Sequence, residues 1–181
     1  KDFAPISEVV RADFVLVVPA SSPYKTLADF IKAGKASKDR VNFGTFGAAT
    51  PGHFGAELFA REAGIKIEPV HYRSTGDAVS GLVSGSLQAE FVTTALAAPQ
   101  VKGGKMRALA ITGAEPSSAL PGVPTFAQAG YGKVDFGAWF ALFAPAGTPP
   151  DILDRLQTES AAALRTPAAA KTLGDAGFTV V

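Results

Sequence analysis

The sequence predicts an α/β fold with a mostly parallel sheet flanked by helices, on three observations. Strand-like runs alternate with helix-like segments, the pattern of βαβ units. Phe14-Val15-Leu16-Val17-Val18 is apolar at every position, as expected of a strand covered on both faces. Two of the strand-to-helix junctions, at Thr50 and at Ser74, carry a capping residue at the helix start.

Taken in order, the run 14–18 is followed by Thr26, a helix cap with Asp29 three residues on, and Leu27, Phe30 and Ile31 form that helix's buried stripe. Residues 41–43 make a short strand that leads into Gly44-Thr45-Phe46-Gly47-Ala48-Ala49-Thr50-Pro51-Gly52-His53. Thr50 fits the N-cap, and Pro51 the first helical position, where its missing N–H costs nothing. The helix is expected to pack through Phe54 and Leu58 and to end at Gly64. Residues 67–71 read as a strand. Ser74 and Asp77 read as a capping box before a helix whose apolar face is Ala78, Val79, Leu82 and Val83. A strand over 87–92, a loop over 93–96 and a short helix over 97–102 follow, with Pro99 acceptable only in a first turn. Residues 107–112 form one more buried strand. Beyond Gly113, Pro116, Pro121 and Pro124 punctuate a stretch without clear period, and a crossing between lobes is expected there. A long strand over 134–143 carries Trp139. Thr148-Pro149-Pro150-Asp151 caps a helix with Ile152, Leu153, Leu156 and Leu164 on its core face. Thr166-Pro167 starts a last helix that ends near Gly177, and 178–181 form a terminal strand or tail.

Composition excludes several functions. The 181 residues carry a net charge of +1 with both signs scattered, so the basic stripe that nucleic acid requires is missing. The longest apolar run is far too short to cross a bilayer. No signal peptide is visible, and a chain that opens on Lys1-Asp2-Phe3 rather than Met is expected to be a processed or cut product. Without cysteine there is no disulfide, thiolate catalysis or cysteine-ligated zinc, and the compartment stays open.

Catalytic motifs are equally thin. There is no Gly-x-Ser-x-Gly elbow, and the only histidines are His53 and His71. His53 and Glu57 have metal-pair spacing on one helix face, but a plain polar face explains them as well, and no metal site is assigned. Phosphate-loop spacings are absent. What recurs is a set of helix starts approached through small and hydroxyl residues: Thr45, Gly47, Ala48, Ala49 and Thr50 with His53, then Ser74 and Thr75, then Thr93 and Thr94. In an open parallel sheet such turns gather at the carboxyl ends of the strands, where ligands bind. Each helix dipole favours an anion by about 0.3–2 kcal/mol, so converging ends suit a small carboxylate. An ordinary strand-to-helix turn with nothing bound explains each one taken alone.

Longer strings extend the comparison. These are Asp2-Phe3-Ala4-Pro5-Ile6, Asn42-Phe43-Gly44-Thr45-Phe46-Gly47, His71-Tyr72-Arg73-Ser74, Gly104-Lys105-Met106-Arg107-Ala108-Leu109-Ala110-Ile111-Thr112-Gly113, Leu120-Pro121-Gly122-Val123-Pro124-Thr125 and Ala144-Pro145-Ala146-Gly147-Thr148-Pro149. In order and spacing the chain resembles the solute receptors of tripartite tricarboxylate transporters, the Bug or TctC-like periplasmic binding proteins. The resemblance implies a type II periplasmic binding fold of two lobes closing on a di- or tricarboxylate, amino acid or aromatic acid. It implies delivery to a membrane permease, a periplasmic location, no catalysis and no cofactor. Carried over by position, the 45–50 turn, Ser74, Thr75 and Thr93 line the second lobe's side of the cleft.

The resemblance also marks departures. Family members carry further chain ahead of the segment matching Lys1, so this chain is expected to hold a complete second lobe over 9–112. Residues 1–8 and 113–181 are then the crossing segment and the C-terminal part of a first lobe. The family's third turn often has an acid where Val92 stands, which argues against an amino-acid ligand. An incomplete first lobe exposes an apolar sheet face, and a homo-oligomer formed through it is expected. Two other classes stand beside the receptor reading: a small α/β hydrolase or transferase using His53 or His71, and an interaction module without small-molecule function.

Overall fold

The computed structural model describes residues 2–181, with the side chain of Thr75 outside the described residues. The chain divides into two compact units, one made of 13–137 and the other of 1–12 with 138–181. The first strand, β1 (Phe3–Pro19), contributes to both.

In the larger unit the apolar half of β1 is followed by α1 (Leu27–Ala36), where Thr26 and Asp29 close the expected capping box. Then come β2 (Val41–Thr45), α2 (Pro51–Ala63), β3 (Ile67–His71), α3 (Thr75–Val83), β4 (Ala89–Thr93), α4 (Thr94–Lys102) and β5 (Met106–Ile111). The strand order is β3-β2-β4-β1-β5. β2 is parallel to β3 and β4, and β1 is antiparallel to β4 and β5. Hence β3, β2, β4 and β5 point one way and β1 alone runs against them. An all-apolar strand reads the same in either direction, because both of its faces are covered whichever way its neighbours run.

Side-chain alternation sorts two cores onto the two faces of the sheet. On the α2 side Phe91 packs against Phe43, Phe59, Phe126 and Phe136, with ring centroids 5.0–6.2 Å apart. On the other side Val15, Val17, Val92 and Ile111 pack with Leu82, Leu87, Ala97 and Ala98.

Several expectations need correction. The face that α2 buries is not Phe54, which is 61% exposed, and Leu58 is only half-buried; it is Gly52, Gly55, Ala56, Phe59, Ala60 and Ala63. At Gly55 the Phe136 ring lies where a side chain would be, and a Cβ there would collide with Phe136 Cζ. Helix α4 starts at Thr94 rather than 97, so Pro99 sits in its interior. The Asp77 carboxylate accepts from the Ser74 hydroxyl at 2.8 Å, and the Ser74 hydroxyl oxygen accepts from the Asp77 N–H at 3.2 Å. This is a cap, but not the reciprocal box. Residues 113–137 belong to the larger unit. They bridge to it through Ile111 and Thr125 and send Phe126 and Phe136 into the phenylalanine core.

The smaller unit holds the start of β1, β6 (Gly137–Pro145), α5 (Pro150–Leu164), α6 (Pro167–Asp175) and β7 (Phe178–Val180). β6 and β7 both pair with β1. The expected long strand therefore begins three residues later than the pattern of 134–143 suggests. Thr148 does not cap α5; its hydroxyl donates to the Pro145 carbonyl at 2.8 Å and closes the preceding turn. The apolar stripe of α5 is not a buried face, for no residue of α5 or α6 is buried and Ile152 and Leu156 are exposed. Trp139, Phe140, Leu142 and Phe143 of β6 are exposed as well.

Candidate functional site

Because β3, β2 and β4 run parallel, their carboxyl ends share one edge of the sheet, and α2, α3 and α4 begin there. Thr45 is the last residue of β2 and stands opposite His71, the last of β3. The Thr45 side chain is buried, and its hydroxyl is hydrogen-bonded to His71 Nδ1.

The turn after Thr45 follows a left-handed course at Gly47 (φ 116°) and at Ala49 (φ 62°), a conformation disfavoured for any residue with a Cβ. It is held from both sides. The Thr50 hydroxyl donates to the Gly47 carbonyl at 2.8 Å and accepts from the His53 N–H at 3.4 Å. The Ala49 N–H donates to His53 Nδ1 at 3.1 Å. That last bond fixes the tautomer of a neutral His53, with the ring proton on Nε2. The two imidazoles meet with centroids 5.0 Å apart at 79°, and His53 Nε2 lies 3.9 Å from Glu57 Oε1.

The other expected positions separate. Ser74 caps α3, and its hydroxyl is engaged with Asp77. The Thr75 side chain lies outside the described residues. Thr93 precedes α4 without a capping hydrogen bond from its side chain. Thr94 is buried and donates to the Asp13 carbonyl at 3.2 Å, which makes it a tie between the start of α4 and β1 rather than a donor to the edge. Val92 is wholly buried in the core cluster, so in this chain that position says nothing about a ligand amine.

The electrostatics of the helix starts also differ. Asp77 occupies the first turn of α3, whereas the first turns of α2 and α4 contain no acid. An added anion is therefore favoured at α2 and α4, and at α3 it meets a carboxylate already in place. A separate hollow lined by Arg40, Glu57, Arg61, Lys66 and Pro69 has no hydroxyl or imidazole on its walls. No group of three or more residues suited to hold a metal occurs among the described residues. Thr45 and His71 have the hydrogen bond of a nucleophile and base, but burial closes the Thr45 hydroxyl to a substrate.

Sequence reasoning missed two groups. The sequence reads His71 as a strand end, as part of a family-like turn and as a catalytic alternative, but not as a site residue; its place at a strand end was the signal. Glu90 of β4 is wholly buried, and neither carboxylate oxygen has a hydrogen-bond partner among the described residues. Burial pushes its pKa from 4.5 up to about 8. A lone acid within an apolar strand was the only sign of it.

The sequence profile of the tripartite tricarboxylate transporter family receptor matches residues 1–181. The chain belongs to this receptor family. BugT of Bordetella pertussis is 31% identical over 181 residues, a match that covers all of this chain and 56% of BugT. Two solved structures of Rhodopseudomonas palustris proteins are similar at 28% identity and cover 60% of those chains. Rpa4515 with adipate superposes with a TM-score of 0.87 over 99% of this chain, and MatC with bound malate with 0.82 over 98%. The chain thus spans about half the length of the curated relatives it matches. Its α/β fold is that of the periplasmic binding proteins, as the resemblance implied, and no helix among the described residues is long and apolar enough to cross a membrane.

Proposed function

We propose that this chain is part of an extracytoplasmic solute receptor that binds a small organic carboxylate and passes it to the permease of a tripartite tricarboxylate transporter. On this reading the unit of 13–137 is the second lobe, the smaller unit is part of the first, the location is periplasmic and the protein is not an enzyme. The observation that carries the reading is the strand-end edge, where the left-handed turn of 47–49 leads into α2, a helix start free of acidic residues. The adipate and malate held by the two Rhodopseudomonas relatives supply the ligand class. The ligand donors are the amides of Phe46, Gly47, Ala48 and Thr50, the Ala49 N–H being given to His53, with the Thr50 hydroxyl holding the turn's shape and Thr93 beside it. Ser74 and Thr94, occupied elsewhere, are set aside as donors.

A thermal-shift titration with adipate, malate, citrate and an aromatic acid tests this. A ligand at about a hundred times its dissociation constant adds about 2.7 kcal/mol, enough to raise the midpoint by several degrees. A selective shift with one acid class is expected, and equal midpoints with all of them would overturn the reading.

A further inference from the structure

We propose that His53 and His71 form a two-imidazole clamp for one carboxylate group of the ligand, making His71 a specificity-determining residue of the site. The inference rests on the receptor reading and adds the side chains that grip the acid. His53 is tied at Nδ1 by the Ala49 N–H, which leaves a proton on Nε2. His71 Nδ1 is hydrogen-bonded to the buried Thr45 hydroxyl; the clamp assigns that hydroxyl as the donor, which puts the His71 proton on Nε2. The backbone and a buried threonine thus turn both rings into Nε2–H donors, with centroids 5.0 Å apart. In the clamp each Nε2–H donates to one oxygen of the same carboxylate. Glu57 Oε1 lies 3.9 Å from His53 Nε2, beyond hydrogen-bond range, on a side chain that is itself more than half exposed. The strained Ala49 has a role in the same arrangement, since its left-handed conformation directs the N–H that sets the His53 tautomer.

The test is calorimetric titration with adipate and with malate of the unsubstituted chain and of His53→Gln, His71→Gln, His53→Phe and His71→Phe. Whichever acid binds the unsubstituted chain should bind each Phe variant more weakly, by on the order of ten- to a hundred-fold. The Gln variants, which keep an N–H donor near the Nε2 position, should recover part of the loss. Because His71→Phe also strips Thr45 of its partner, a second readout follows the unsubstituted protein: the ligand should shift the 15Nε2 resonances of both rings. Binding to the unsubstituted chain with unchanged affinity in both Phe variants and unmoved ring resonances would overturn the clamp and leave the receptor reading standing. Absence of binding to the unsubstituted chain would overturn both.

Discussion

Glu90 shows what a single residue can impose on this fold. Its carboxyl group lies beside Gly44 of β2, where an added Cβ would come within 3.4 Å of Glu90 Cγ and Cδ and within 2.6 Å of Leu87 Cδ1. With no hydrogen-bond partner among the described residues to compensate its desolvation, the group stays protonated at neutral pH. The folded protein therefore holds one proton more than the unfolded chain between pH 4.5 and about 8. Stability falls as pH rises through that window, at up to about 1.4 kcal/mol per pH unit, and levels off above it. Urea denaturation of the parent and of Glu90→Gln at intervals from pH 5 to 9 checks this: the parent should lose stability steadily and the variant much less. Parallel pH profiles would contradict the assignment. At this scale the sequence was legible where local chemistry decides, as at Thr26, Thr50 and Gly64, whose caps form as read. It was silent where tertiary contacts decide, as at Ala49 and Glu90.

At the scale of elements, α2 illustrates both success and failure. Its start and end were legible because caps are local. Its buried face was not, because large apolar side chains attract the reading while the helix in fact approaches the sheet through Gly and Ala. Gly55→Ala tests that packing. Alanine favours helix by about 1 kcal/mol over glycine, yet overpacking against Phe136 should cost about 1–3 kcal/mol and outweigh it. A variant as stable as the parent in urea would show that Phe136 gives way freely. Helix α4 makes the same point in reverse: the helix rule for proline predicted a later start, but burial of Ala97 and Ala98 and the Thr94 tie to Asp13 accompany a start at Thr94, which leaves Pro99 in the interior.

For the molecule as a whole, alternation of strands and helices was enough to give the α/β class and most of the elements. The direction of β1 and the attachment of 113–137 were not legible, because an all-apolar strand and an aperiodic proline-rich stretch carry no local record of their partners. Of the candidate site, the Thr50 cap at the start of α2 was legible but the left-handed Ala49 was not, and Ser74 and Thr94 proved to be committed to other bonds. The exposed Trp139, Phe140, Leu142 and Phe143 of β6 bear on assembly. This chain should self-associate through these β6 side chains, giving sedimentation coefficients that rise with concentration. A monomer at every concentration would contradict this. The central claim is that a carboxylate ligand sits at the carboxyl ends of the parallel strands, against the start of α2. A backbone-amide NMR titration with adipate and malate tests it most directly. The account predicts the largest saturable shifts at residues 46–53, at His71 and at Thr93; shifts centred on the hollow of Arg40, Arg61 and Lys66, or none at all, would contradict it.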